Sequence, residues 1–400
     1  MRTLGDRFEK ARHNVQGMKS MNSRNLFGTA ICAILVWAAN SAAALGQIDP
    51  AAYRLLSDNG EDSPLSASET AADLSPSAGC CEVDGCLTPC RPRWTAAADF
   101  IILDRVGGGN QTLVERLSRS VKFEDIAGTP GAVALTGNDF QGFCGGPRVG
   151  LIRHGDCGYD LELSYFQIDG WKIDKNIGPD DPPDWLIMRA PGGFLQTNQP
   201  PLLATQAMDW IYGTELHNAE VNVRWNPADR VTLLAGLRWL NLHDHLVGAL
   251  EPPTISWEPP FWNATASNNL FGIQLGADGK IFERGRFSIT GLAKAGIFDN
   301  NAEQTTAVSV IFKQVRTGSA STNHASFVGE TGLQCNYQVA KGLLLKAGYE
   351  VLWLDGVALA PEQVQETSID GRTISLQALG IDCRSGMLFH GATAGLEYSF

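Results

Sequence analysis

The sequence predicts an all-β fold, a transmembrane antiparallel up-and-down β-barrel of about ten strands (8–12), behind a flexible N-terminal segment. Three observations carry this. Segments of roughly ten residues alternate apolar and polar side chains, the period of a strand with two unlike faces. The connections between them alternate short and long. Aromatic residues on the apolar parity gather near both strand ends.

The clearest segment runs from Leu216 to Asn226, with His217, Ala219, Val221, Val223 and Trp225 on one parity and Asn218, Glu220, Asn222 and Arg224 on the other. Asn226-Pro227-Ala228-Asp229 then forms a turn, because Pro presets φ and Asn and Asp favour turn geometry. The next strand sets Val231, Leu233, Ala235, Leu237 and Trp239 against Thr232, Gly236 and Arg238. Phe271, Ile273, Leu275 and Ala277 oppose Gln274, Asp278 and Lys280; Phe287, Ile289, Ala293 and Ile297 oppose Ser288, Thr290 and Lys294. Phe327, Leu333, Cys335 and Tyr337 oppose Glu330, Gln334 and Asn336. Leu343, Leu345, Ala347, Tyr349, Val351 and Trp353 oppose Lys346 and Glu350, and Ala392, Ala394, Leu396, Tyr398 and Phe400 oppose Glu397 and Ser399. Tyr159, Leu161, Leu163 and Tyr165 oppose Asp160, Glu162 and Ser164, and less regular strands fall near Trp94–Arg105 and Pro147–His154. Tight turns are expected at 155–157, 226–229, 283–286 and 339–342, and long loops at 106–146, 169–214, 243–268, 299–325 and 355–387. An even strand number with short turns at one end and long loops at the other is the pattern of bacterial transmembrane barrels.

A water-soluble antiparallel sandwich also has one apolar face, so the aromatics decide. Trp225, Phe287, Tyr337 and Phe400 fall near the short-turn end, and Trp239, Phe271, Phe327 and Trp353 near the long-loop end. Two girdles separated by aliphatic residues match two bilayer interfaces. The opposite parity carries Glu220, Arg224, Arg238, Asp278, Lys294, Glu330, Lys346 and Glu350, which are expected to line the lumen. A charge facing lipid at mid-depth would cost roughly 2–4 kcal/mol.

Lys19 and Arg24 precede an apolar run from Leu26 to Ala39 and a small-residue stretch, the pattern of a signal peptide over 1–46 cleaved near Ala44–Gly46. The true start is Met1, Met18 or Met21. Residues 47–93, rich in Ser, Ala, Asp and Pro, read as a flexible periplasmic segment, leaving 94–400 as an outer-membrane barrel. Cys80, Cys81, Cys86 and Cys90 lack paired C-x-x-C steps, so in an oxidising envelope they read as disulfide candidates before a metal site. The net charge of −12 argues against a nucleic-acid partner. Past residue 50 no apolar run is long enough for a spanning helix.

Six stretches resemble the β-barrel porins numerous in planctomycete bacteria: Leu216–Arg224 (LHNAEVNVR), Leu234–Leu240 (LAGLRWL), Asn269–Asp278 (NLFGIQLGAD), Lys294–Asn301 (KAGIFDNN), Ala347–Pro361 (AGYEVLWLDGVALAP) and His390–Tyr398 (HGATAGLEY). The resemblance covers roughly residues 94–400, and Trp353–Val357 is its most specific part. It implies an outer-membrane barrel labelled a porin and supplies no catalytic residues. This sequence departs from the pattern in its loops.

The leading functional expectation is passive passage of small solutes. The alternatives are a structural or surface-interaction barrel without conductance, and an outer-membrane hydrolase built on His243-Asp244-His245. Residues i and i+2 of a strand share a face while Asp244 points away, so a solvated loop tip is the plainer reading of that triplet. Ion pairs of Glu350 with Lys346 and Arg224 with Glu220 are expected along single strands. Gly107-Gly108-Gly109-Asn110 reads as a flexible loop, with no helix after it to bind phosphate, and Asp355-Gly356 as a loop opening. No enzyme activity, cofactor or metal is expected. The partners are outer-membrane lipids, small solutes and the barrel-assembly machinery, engaged through the strand ending at Phe400.

Overall fold

The computed structural model describes residues 80–83, 86–89 and 92–400, apart from 123–124, 126–128, 156–157, 179–184, 191–192, 195–206, 229, 251–260, 311–313, 364–366, 370–375 and 379. The expected leader (1–46) lies outside these residues, as does the expected periplasmic segment up to residue 79.

Ten strands close a barrel: β1 (Trp94–Val106), β2 (Gly142–His154), β3 (Tyr159–Ile177), β4 (Met208–Ala228), β5 (Val231–Leu250), β6 (Phe261–Arg284), β7 (Phe287–Val310), β8 (Gln314–Ala340), β9 (Leu343–Val357) and β10 (Ser385–Ser399). Each pairs antiparallel with its neighbours in the chain, and β10 returns to β1. At that seam Thr95 stands opposite Ser399, and the backbones of Trp94 and Phe400 exchange hydrogen bonds of 3.0 and 2.9 Å. Closure leaves no sheet edge unpaired, which strands need if they are to cross lipid. Tight turns close one end; Gly285 and Gly342 adopt φ of 62° and 79° there.

The expected strands are all present, and the eight whose faces alternation had divided keep those faces. Val221, Val223, Leu233, Leu237, Ile273, Leu275, Ile297, Leu345 and Leu396 are exposed on the outer wall. Around them stand Tyr159 stacked on Trp225 (6.5 Å), Phe287 opposite Tyr337, Trp239 opposite Phe271, and Phe327 against Trp353 (5.4 Å).

Strand length is where the structure departs from expectation. Residues 243–268 and 299–325, read as loops, are largely strand, and β4 begins well before Leu216. The apolar parity inverts partway along several strands. On β6 the outward residues Phe271, Ile273 and Leu275 are exposed and apolar, whereas beyond them the inward residues Leu270, Ala266, Ala264 and Trp262 are buried and apolar. Their outward neighbours there are Asn269, Ser267, Thr265 and Asn263. The same exchange occurs on β4, from outward Val221 and Val223 to inward Leu216, Tyr212 and Trp210. A strand in lipid puts apolar groups outside; the same strand in water must put them inside. The upper half of the barrel is therefore a water-type barrel with its own core.

Three of the expected long loops also contain structure. Short strands at Thr112–Leu117, Ala132–Thr136, Trp185–Ala190 and Gly193–Phe194 form a separate four-stranded sheet. Between β9 and β10 lie a one-turn helix, Ala360–Gln363, and a hairpin of Thr367–Ile369 with Leu376–Ala378. A further hairpin pairs Cys80–Val83 with Cys86–Pro89, setting Val83 opposite Cys86. The side chains of Cys80, Cys81 and Cys86, and all of Cys90, lie outside the described residues. Cys144, Cys335 and Cys383 are free thiols.

Candidate functional site

The lumen is the site the sequence nominates. Its eight nominated charges all point inward, and each is neutralised across the barrel. Arg224 pairs with Glu162 (2.7 Å) and Asp278 (2.5 Å). Arg238 pairs with Glu330 (2.8 Å) and stands 3.6 Å from Glu220, while Lys294 reaches Glu220 at 2.9 Å and Glu330 at 3.5 Å. Lys346 holds Asp99 (3.2 Å) and Glu397 (3.5 Å), and Arg148 grips Glu350 with both guanidinium nitrogens at 2.6 Å. Neutral amides complete the cluster. Gln274 donates to Glu220 at 2.7 Å, and Arg238 Nε donates to Asn218 at 2.6 Å.

The pairs expected along single strands, Glu350 with Lys346 and Arg224 with Glu220, are replaced by these cross-barrel pairs. Four residues of strand span roughly 13 Å, too far for a direct bond. Arg148, Asp99, Glu162 and Glu397, which complete the network, were not nominated; Glu162 and Glu397 stood on the polar parity, while Asp99 and Arg148 fall on the two irregular strands. Arg238 is 1% exposed and Glu220 4%, so these groups touch one another rather than a stream of water.

Above the charges the interior is apolar. Ile101, Phe166, Leu216, Leu240, Leu270, Phe298, Leu352 and Phe389 belong to one buried cluster. Higher still, the chain after β9 folds back into the mouth. Gly356 turns with φ of 77°, and a side chain there would stand 3.0 Å from the carbonyl of Ala325, so Gly356 serves this turn and is more than a loop opening. Ala358, Leu359 and Ala360 are completely buried as a result. Asn268 clasps Ala358, donating to its carbonyl and accepting from its amide, both at 2.7 Å. Ser326 donates to the carbonyl of Gly356 at 2.6 Å, and Gln363 donates to that of Asp382 at 2.7 Å.

Asp244 anchors this inserted segment. It accepts hydrogen bonds from Tyr212, from Thr214 (2.6 Å) and from the Ala360 amide (3.3 Å), with Arg105 at 3.8 Å. His243 and His245 project from the opposite, outer face of β5, their rings 6.5 Å apart. The triplet is thus strand and not a loop tip, and its three side chains do not converge on one reaction centre.

The glycine run also differs from expectation. Gly109, with φ of 86°, packs so closely that Glu362 Oε1 lies 2.0 Å from where a β-carbon would sit. The backbones of Asn110 and Gln111 hydrogen-bond the Glu362 carboxylate. Burial, reinforced by nearby Asp382, raises the Glu362 pKa above its ordinary 4.5, while the Arg384 hydrogen bond lowers that of Asp382. A raised carboxyl pKa favours the folded loop while the group is protonated. Docking should therefore be firmest below about pH 4.5 and weaken as pH rises through the raised value. Asp382 acts in the opposite sense, but only below its ordinary 3.8. Limited proteolysis of the loop across pH 4–8 should show this loosening, and Glu362→Gln should flatten it; a profile unchanged by that substitution would remove Glu362 as the cause.

A closed, outwardly apolar barrel of ten antiparallel strands defines the class: a transmembrane β-barrel of the outer-membrane type. No family model and no curated protein matches the sequence. Among solved structures it is similar to the Escherichia coli outer membrane protease OmpT (8% identity, 77% of this chain and 96% of that one, TM-score 0.41). It is also similar to the Ralstonia pickettii toluene transporter TbuX (8%, 78% and 90%, TM-score 0.31) and a Pseudomonas aeruginosa FadL homologue (9%, 78% and 90%, TM-score 0.26). At these TM-scores the overlaps carry no argument beyond the architecture that the strand pairing already defines.

Proposed function

We propose that this protein is a non-conducting outer-membrane barrel that presents a rigid, structured surface outside the cell. The observation that carries this reading is the filled interior: paired charges in the lower half, an apolar layer above them, and the segment Ala358–Gln363 seated in the mouth. Passive passage of small solutes needs a continuous aqueous path. The buried ion pairs and the apolar layer favour the structural, surface-displaying reading over that of a passive porin. The lipids around the outer wall and the barrel-assembly machinery at the β10–β1 seam are the partners this reading requires.

Planar-bilayer recording tests it. The reconstituted protein is expected to give no steady ohmic steps in 1 M KCl. A stable conductance from the intact protein would return the porin reading to first place.

A further inference from the structure

Outside the lumen, the outer wall carries a side-chain cluster that neither strand alternation nor barrel closure requires. At the β3–β4 boundary the register slips between Thr214 and Leu216, so that Asp169 and Gly170 together face Glu215. Gly170 takes φ of 93°, the left-handed conformation suited to glycine at a bulge. The bulge leaves Asp169 on the outer face beside Glu215 and His217. One ligand atom from each of these three lies within 4.8 Å of the others. His217 Nε2 is 3.0 Å from an Asp169 carboxylate oxygen. One residue pair below, Ala219 stands opposite Trp239 of the outer aromatic girdle, so the cluster sits just above the apolar belt.

The hydrogen bonding of His217 fits a cation ligand. Tyr165 donates its hydroxyl hydrogen to Gln167 at 2.9 Å, so its oxygen accepts from His217 Nδ1–H at 3.2 Å. The other ring nitrogen, Nε2, faces the two carboxylates, so the bulge gathers one imidazole nitrogen and two carboxylate groups at one point. A divalent ion there would take a donor atom from each. One imidazole and two carboxylates form a borderline ligand set for first-row divalent ions, with remaining positions open to water. The Tyr165 bond to the far ring nitrogen is the outer support that metal-binding histidines commonly have.

We propose that Asp169, Glu215 and His217 form a surface site for a divalent first-row transition ion, of which zinc is the probe. The test is isothermal titration of ZnCl2 into the full-length, chelator-stripped, tag-free protein in detergent micelles. One equivalent should bind, and His217→Ala should abolish it. The double variant Asp169→Asn with Glu215→Gln should do the same, and Tyr165→Phe should weaken binding about tenfold. His390→Ala, at an outer-wall histidine bonded instead to Tyr349 (2.7 Å), should bind like the native protein. Heat-modifiable gel mobility checks that each variant is folded. The proposal is overturned if the native protein takes up no zinc, if folded His217→Ala keeps its equivalent, or if binding disappears with His243→Ala or His245→Ala while surviving His217→Ala.

Discussion

Arg238→Ala should destabilise the folded barrel by about 3–5 kcal/mol, the usual cost of leaving a buried charge without its partner. The guanidinium bridges Glu330 and Glu220, and both carboxylates are buried in the lower lumen. Without it, two anions share the single ammonium of Lys294. The companion double variant Arg238→Met with Glu330→Leu should recover most of the loss. It removes charge in balance and leaves Glu220 with Lys294 and the Gln274 amide. Guanidinium unfolding in detergent, followed by tryptophan fluorescence, measures both. A loss below 1 kcal/mol for the single variant would mean that water reaches these charges and that the lumen is open.

The second large effect concerns the outer wall. Leu275 is 68% exposed and lies opposite Ala235 and Ala295, midway between the two girdles. Leu275→Arg should cost about 2–4 kcal/mol in lipid vesicles, because the guanidinium is driven into hydrocarbon. Thr265→Arg, on the same strand and the same outer face but above the belt, should cost close to nothing. The contrast is sharp because on a water-soluble protein an exposed leucine exchanged for arginine is harmless. Equal stability of the two variants in vesicles would rule out a membrane around Leu275.

Much of this architecture was legible in the sequence, and what escaped did so for identifiable reasons. The faces of eight strands followed from alternation, since Glu220, Arg238 and Lys346 could be placed opposite Val221, Leu237 and Leu345 without any tertiary information; the first two strands were too irregular to split. Strand lengths were lost at Phe271 and Leu216, where the apolar parity changes sides; a strand that exchanges lipid for water looks, to a periodicity argument, like a strand that ends. The charged residues of the polar parity could be listed from alternation, but their partners could not, because partnership across a closed barrel depends on register and curvature. The inserted mouth segment was hidden for another reason. Val357-Ala358-Leu359-Ala360 is apolar without a period, and only burial distinguishes it from a linker. Asp169 became visible only through the bulge at Gly170, since its neighbours in space, Glu215 and His217, are more than forty positions away in the chain.

The change of sides at Phe271 has one more consequence. It marks a waterline on β5 and β6, with Asn269 and Asn241 immediately above it and Ile273 and Leu237 immediately below. A rise of two residues would strand leucines in water, and an equal descent would drown asparagines in oil. The molecule therefore floats at one depth only, and whatever its rim touches is met at a height set by side-chain chemistry and not by the length of any tether.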